Sequence, residues 1–136
     1  MSIPSLSLEG RWALILGASS GFGAAAARAL AEAGMNIFGV HLDTRSTLER
    51  AEAVVADVEA LGRRALFFNT NAADERRRGR VITRMADALH DEPYASVHMV
   101  VHTLAFGSLR PFIASDPGEA TTERQMEMTL RVMAHT

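Results

Sequence analysis

Trp12-Ala13-Leu14-Ile15-Leu16-Gly17-Ala18-Ser19-Ser20-Gly21-Phe22-Gly23 runs from an unbroken apolar stretch straight into a glycine-rich turn. A short apolar run without alternation is the pattern of a β-strand covered on both faces. After the turn, Phe22, Ala25, Ala26, Ala29, Leu30 and Ala33 recur at helical spacing, and Gly34 stands where a helix-ending glycine belongs. Further strands are expected at Asn36 to Leu42, Ala65 to Phe68 and Val97 to His102. Between them, Ser46 and Glu49 form a capping box opening a helix with the stripe Leu48, Ala51, Val55, Val58 and Leu61, closed by Gly62. A third helix, Asp74 to His90, buries Ile82, Met85, Ala86 and Leu89. This alternation of strands and helices predicts α/β architecture with a mostly parallel sheet. A last helix, capped by Thr122 with Gln125, carries Met126, Leu130, Met133 and Ala134, and its pattern still runs at Thr136. The chain therefore reads as a single domain, 1–136, truncated at its C-terminus.

At 136 residues there is material for one hydrophobic core. A net charge of -2 gives no electrostatic reason to expect nucleic acid or an anionic membrane. No apolar run approaches membrane-spanning length, and Met1-Ser2-Ile3-Pro4-Ser5-Leu6 lacks the pattern of a secretory signal. Without cysteine there is no disulfide, thiolate nucleophile or Cys-ligated zinc, and a cytoplasmic location is the default. Every basic residue is arginine, and Tyr94 is the only tyrosine, so a mechanism needing a lysine amine cannot be completed within these residues.

The glycine turn has a chemical reading. A tight turn off a strand needs a residue free in φ, and a pyrophosphate approaching the backbone leaves no room for a Cβ. A third glycine, followed by alanines, lets the helix lie close on the sheet, and N–H groups at the helix start bind phosphate. Gly17, Ser19, Ser20, Gly21, Phe22 and Gly23 are thus candidate cofactor-binding residues. The plainer alternative is a strand-to-helix turn that binds nothing.

The spacing G-x-x-x-G-x-G, set between an apolar strand and an alanine-rich helix, resembles the short-chain dehydrogenase/reductase superfamily. The resemblance covers essentially all of the chain and about half of that family's domain. It implies a Rossmann-like doubly wound parallel sheet whose N-terminal part has strand order 3-2-1-4, and an NAD(P) cofactor. In the family, the residue ending the second strand meets the adenosine ribose, which places His41, Leu42, Asp43 and Arg45 there. Asp43 argues for NAD, whereas Arg45 with Ser46 looks like a cradle for a 2′-phosphate; the balance leans slightly to NADP. Both could instead be solvated loop residues. Asn71 and Ala72 match the family's adenine-side motif, with Asn71 as a plain loop or cap residue the alternative.

The fourth strand leads into His102-Thr103-Leu104-Ala105-Phe106-Gly107. This differs from the family's usual Asn-Asn-Ala-Gly and resembles the corresponding segment of bacterial enoyl-acyl-carrier-protein reductases, as does Gly107-Ser108-Leu109-Arg110-Pro111. In strand order 3-2-1-4 the C-terminal ends of strands one and four flank the crevice where ligands bind. Thr103, Leu104 and Ala105 would line the cofactor there, with Phe106 toward the substrate. His98 and His102 share a strand face but lie about 13 Å apart, too far for one metal; His102 reads as a core histidine, and no metal site is expected. The last helix has no asparagine across Met128 to Val132, a second departure that the enoyl reductases share. The cluster Arg76, Arg77, Arg78 and Arg80 reads as a solvated helix face, and the methionines of the last helix as core or subunit-interface packing.

The resemblance implies an oxidoreductase, oligomeric at full length, that passes a hydride between nicotinamide and an enoyl-acyl or carbonyl substrate. Its tyrosine and lysine would lie beyond Thr136, so the chain alone is expected to be inactive. A Tyr-x6-Lys spacing there would mark an enoyl reductase and Tyr-x3-Lys a carbonyl or hydroxy reductase. A non-catalytic nucleotide-binding module is the alternative from another class.

Overall fold

The computed structural model describes residues 7–107 and 109–135. Met1–Leu6, Ser108 and Thr136, which entered the sequence reading, lie outside them. Strands and helices alternate: β1 (Trp12–Leu16), α1 (Gly21–Glu32), β2 (Asn36–His41), α2 (Leu48–Ala60), β3 (Ala65–Asn69), α3 (Glu75–Leu89), β4 (Val97–His102), a 3-10 turn (Pro117–Glu119) and α4 (Glu123–Met133). They form two compact units, one ending at Thr103 and the other beginning at Leu104.

In the first unit the four strands are all parallel, in the order β3-β2-β1-β4. This is the Rossmann-like arrangement expected from the sequence. β2 is buried at every position, because it has a strand on each side and helices over both faces. Ala13, Ile15 and Ile37 face α1 and α2, meeting Ala24, Ala27, Ala31, Val54 and Val58. On the other face Trp12 stacks on Phe38 with ring centroids 4.0 Å apart. A right-handed crossover from β3 back to β4 puts α3 on this second face. Its Val81, Met85 and Leu89 are buried, and the Arg84 guanidinium lies over the Phe68 ring.

Several expectations are corrected in detail. α1 buries Gly23, Ala24, Ala27 and Ala31; of the expected stripe, Ala26 and Leu30 pack partly buried beside them, whereas Phe22 is 88% exposed and Ala25, Ala29 and Ala33 are exposed. Along an alanine-rich helix hydropathy gives no phase; the face is chosen by which residues have no side chain to hold the backbone away. α2 buries Val54 with Ala51 and Val58, and leaves Leu61 exposed. α3 uses Val81 in place of Ile82, which is exposed with Ala86. The Ser46/Glu49 capping box does not form; Thr47 is the N-cap residue, without a side-chain cap, and the Ser46 hydroxyl meets that of Thr44 instead. His102 is exposed rather than buried. His98, Val100 and His102, which share one face of β4, are exposed among the described residues, and the Arg11 guanidinium reaches His98, 3.5 Å from its Nδ1. β1 also pairs with β4 out of step at His98, since Trp12 is opposite Val97 but Ala13 opposite Met99.

In the second unit Asp116 caps the 3-10 turn, its Oδ1 accepting from the Gly118 N–H. The Thr121 N–H donates to the Pro111 carbonyl at 2.9 Å, and the Thr122/Gln125 capping box forms as read. The helix is shorter than its apolar pattern, which runs on toward the end of the sequence: α4 ends at Met133, and the Ala134 N–H donates to the Leu130 carbonyl. Met126, Leu130 and Met133 are exposed.

Candidate functional site

The site grows from the C-terminal end of β1. Gly17 leaves the strand at φ 92°, a left-handed conformation that other residues resist. Its N–H and that of Ala18 both donate to the Val40 carbonyl, at 2.8 and 3.1 Å, which folds the turn back over β2. A Cβ on Gly17 would fall 2.7 Å from Thr103 Oγ1, and one on Gly23 would fall 2.0 Å from the Gly17 carbonyl oxygen. The turn, the start of α1 and the end of β4 therefore meet backbone to backbone. Thr103 fastens the junction: its N–H and its hydroxyl both donate to Leu16 O, at 2.9 and 2.8 Å.

Ser20 is the N-cap of α1 in extended conformation, and its side chain makes no cap bond. The first N–H groups of any helix have no acceptor within it, and the helix dipole adds partial positive charge there. No acidic residue lies in the first turn to satisfy them. A Cβ on Gly21 would meet nothing within 4 Å, so open space adjoins these donors. An anion at this point would meet bare backbone donors with no side chain in the way, as a pyrophosphate requires.

The second edge of the site is the loop after β2. His41 is only 4% exposed, and its Nδ1 lies 2.8 Å from Asp43 Oδ2. An ionised carboxylate can only accept, so Nδ1 carries the hydrogen. Asn69, at the end of β3, holds the Asp43 backbone from both sides: its Oδ1 accepts the Asp43 N–H at 2.9 Å and its Nδ2 donates to the Asp43 carbonyl at 3.0 Å. Burial under its neighbours raises the Asp43 pKa, but hydrogen bonds from Thr47, Ser19 and His41 outweigh this and hold it below its ordinary value of 3.8. Leu42, Thr44, Arg45 and Ser46 are exposed, and Arg45 makes no ion pair among the described residues.

The depressed Asp43 pKa has a measurable consequence. An acid whose native pKa lies below its unfolded value stabilises the fold above the unfolded pKa, and that contribution is lost as pH falls through the native one. Asp43→Asn should therefore show a flatter decline in stability below about pH 4 than the unaltered chain. Urea midpoints measured from neutral pH downward would test this. Parallel acid limbs for the two proteins would refute it.

Asn71 lies outside the end of β3, exposed. Its Oδ1 accepts the Ala73 N–H at 2.9 Å, the local turn that the plainer reading foresaw. Ala72 is buried, with Arg78 donating to its carbonyl. Leu104, Ala105 and Phe106 belong to the second unit, where Leu104 is half-buried and the other two are exposed. The sole tyrosine, Tyr94, stands before β4 with the Arg11 guanidinium 4.6 Å from its ring centre. That is the N-terminal end of the parallel sheet, the length of a strand away from Gly17.

Sequence reasoning missed Asn69 and Thr47. The signal available was their type: amide and hydroxyl groups at the strand end and helix start that bracket an acid. A shallow groove of about 250 Å³ between α2 and β3 is lined mainly by Leu48, Ala51, Val55 and Phe67. Glu52 and Glu59 also line it, and their negative charge disfavours a phosphate there. Among the described residues no group of acids and histidines could hold a metal ion, and no helix is long and apolar enough to cross a membrane.

A model of the short chain dehydrogenase family matches residues 11–133. No curated protein matches the chain. Among solved structures, a short-chain dehydrogenase from Burkholderia cenocepacia in complex with NADP is 31% identical, with a TM-score of 0.72 over 95% of this chain and 47% of that one. A blue fluorescent protein from a metagenomic library, in complex with NADPH, is 28% identical with a TM-score of 0.72 over the same two shares. A mutant short-chain dehydrogenase/reductase of Serratia marcescens has a TM-score of 0.73 over those shares at 20% identity, a likeness of fold alone. The chain spans about half the length of these structures, 47% in each case. A family match across nearly the whole chain, on a parallel sheet ordered β3-β2-β1-β4, carries one conclusion: the chain belongs to the short-chain dehydrogenase family.

Proposed function

We propose that the chain is the dinucleotide-binding part of an NAD(P)-dependent oxidoreductase that prefers NADP(H). The observation that carries this is the Gly17, Gly21 and Gly23 cradle, where two Cβ positions are filled by backbone or Thr103 and the third opens onto uncapped helix donors. Gly17, Ser19, Ser20, Gly21, Phe22 and Gly23 would hold the pyrophosphate. The loop of His41, Leu42, Asp43 and Arg45 would lie at the adenosine ribose, with the exposed Arg45 as its contact and the buried His41 and Asp43 side chains behind it; Asn71 and Ala72 would stand on the adenine side and Thr103 on the nicotinamide side. Leu104, Ala105 and Phe106 follow Thr103 in sequence and are assigned by resemblance. The NADP and NADPH complexes of the two relatives named above at 31% and 28% identity support the preference, and Arg45, which has no ion-pair partner among the described residues, supplies a cation for a 2′-phosphate.

Bound there, the cofactor supplies a hydride. The complete enzyme would pass it to an enoyl-acyl or carbonyl substrate, and the segment from His102 to Phe106 favours the enoyl branch over a carbonyl or hydroxy reductase. The same reading takes the protein as cytoplasmic and, at full length, as a homo-oligomer. Titration calorimetry should find NADP⁺ bound about tenfold more tightly than NAD⁺, and Arg45→Ala should lose about tenfold in NADP⁺ affinity alone, as one charge-assisted contact implies. A chain that binds neither dinucleotide refutes the reading.

A second reading, a nucleotide-binding module without catalysis, is favoured by two facts about these residues: they include no lysine, and their one tyrosine, Tyr94, lies at the N-terminal end of the sheet. The 136-residue chain should accordingly bind cofactor without turning it over. Steady oxidation of NADPH by the purified chain would overturn that expectation.

A further inference from the structure

The loop after β2 contains one acid, Asp43, and one cation, Arg45. A free carboxylate at this place would accept a hydrogen bond from a ribose 2′-hydroxyl and repel a 2′-phosphate. The Asp43 carboxylate is not free. Oδ2 is 2.8 Å from His41 Nδ1, the Ser19 and Thr47 side chains lie against it, and only 8% of the side chain is exposed. Asn69 fixes the backbone of the same residue through both its N–H and its carbonyl, so the acid cannot turn outward by a simple peptide rotation. Arg45, by contrast, is exposed and has no ion-pair partner among the described residues.

His41 is the anchor of this arrangement. It ends the fully buried strand β2, its ring tilts against Phe67 with centroids 6.0 Å apart, and among the described residues its side chain makes no hydrogen bond other than the one to Asp43. A buried polar side chain with a single polar contact is placed for that contact, since an apolar residue would fill the same space without desolvating a ring nitrogen.

We propose that His41 is a positioning residue for cofactor choice: by binding the Asp43 carboxylate inward it withdraws the loop's one acid from the adenosine ribose, and leaves Arg45 to receive a 2′-phosphate. Asp43 is then a fastening between the glycine turn, β2 and α2, and is no selector for the unphosphorylated cofactor. The inference rests on the reading of the Gly17–Gly23 turn as a dinucleotide site.

The test is a cycle of four proteins, each the whole 136-residue chain: unaltered, His41→Leu, Asp43→Asn and the double variant. Affinities for NADP⁺ and NAD⁺ are measured by calorimetry. His41→Leu frees the acid and should lower the NADP⁺ to NAD⁺ affinity ratio about tenfold, the size of one charged contact. Adding Asp43→Asn to it should restore the ratio. Asp43→Asn alone should leave the ratio within about threefold of the starting value, because the acid is already withdrawn. A purely structural role for His41 would weaken both cofactors alike and leave the ratio unmoved, and that outcome overturns the inference. So does a tenfold rise of the ratio in Asp43→Asn alone. If His41→Leu does not fold, as judged by its circular dichroism, the Asp43→Asn ratio decides the matter by itself. Binding of neither dinucleotide by the unaltered chain overturns the underlying reading instead, which is a distinct result.

Discussion

Gly23→Ala should abolish saturable dinucleotide binding and lower the stability of the first unit by about 3 kcal/mol, at the upper end of the usual range for overpacked sites. The added methyl carbon would sit 2.0 Å from the Gly17 carbonyl oxygen and 2.7 Å from both the Gly17 carbonyl carbon and Thr103 Oγ1. None of these can yield cheaply. Moving the Gly17 peptide strains the N–H bonds of Gly17 and Ala18 to Val40, and moving Thr103 strains its two bonds to Leu16. The helix must back away from the sheet, and the phosphate cradle goes with it. Gly21→Ala is the control, since its methyl would meet nothing within 4 Å. It should keep most of the stability, losing about 1 kcal/mol to its left-handed φ. Urea unfolding followed by Trp12 fluorescence checks both. A Gly23→Ala midpoint equal to that of the unaltered chain would show the contact to be wrongly described.

The other large effect is expected at the opposite end of β1. Trp12→Ala should cost 3–5 kcal/mol, the usual range for emptying a buried aromatic site. Trp12 is fully buried, stacked on Phe38, and covered by the Arg64 guanidinium, which Glu92 in turn pairs. Against a total stability of roughly 5–15 kcal/mol for a domain this size, the variant should be largely or wholly unfolded near 37 °C. Trp12→Phe should lose much less. It keeps a ring against Phe38 and removes an indole Nε1 that is buried without a hydrogen-bond partner among the described residues, a group whose desolvation is itself unfavourable by about 1–3 kcal/mol. Circular dichroism melts read both variants, since the fluorescent reporter is gone. An alanine variant melting within a few degrees of the unaltered chain would contradict this account of the core.

The order of elements and the sheet topology were legible because each strand is a short apolar run framed by helix-period segments. The strand order followed from family resemblance, and the structure reproduces it. Helix phase was not legible where the sequence lacks contrast. In α1 alanines stand on every side, so Gly23 and close packing choose the face; in α3 the adjacent Val81 and Ile82 fit either stripe, and the spacing from Met85 and Leu89 selects Val81. The glycine turn was readable since three glycines at fixed spacing have few other uses. The state of Asp43 was not. Its bonds come from Ser19, His41, Thr47 and Asn69, and of these Ser19 and Asn69 are far from it in the chain. A sequence shows an acid near an arginine; only the fold shows which of the two is already engaged.

The position of β4 bears on how the chain is made. β1 pairs with β2 on one side and with β4 on the other, yet β2 ends at His41 and β4 begins at Val97. Roughly fifty residues must therefore leave the ribosome before the second edge of β1 finds its neighbour, about 3–10 s at ordinary synthesis rates. During that interval the most apolar strand of the nascent chain offers unpaired peptide groups to any other strand nearby. Slowing translation between codons 41 and 97 should raise the aggregated fraction of newly made protein, and a chaperone that shields open edges should act most strongly in that window.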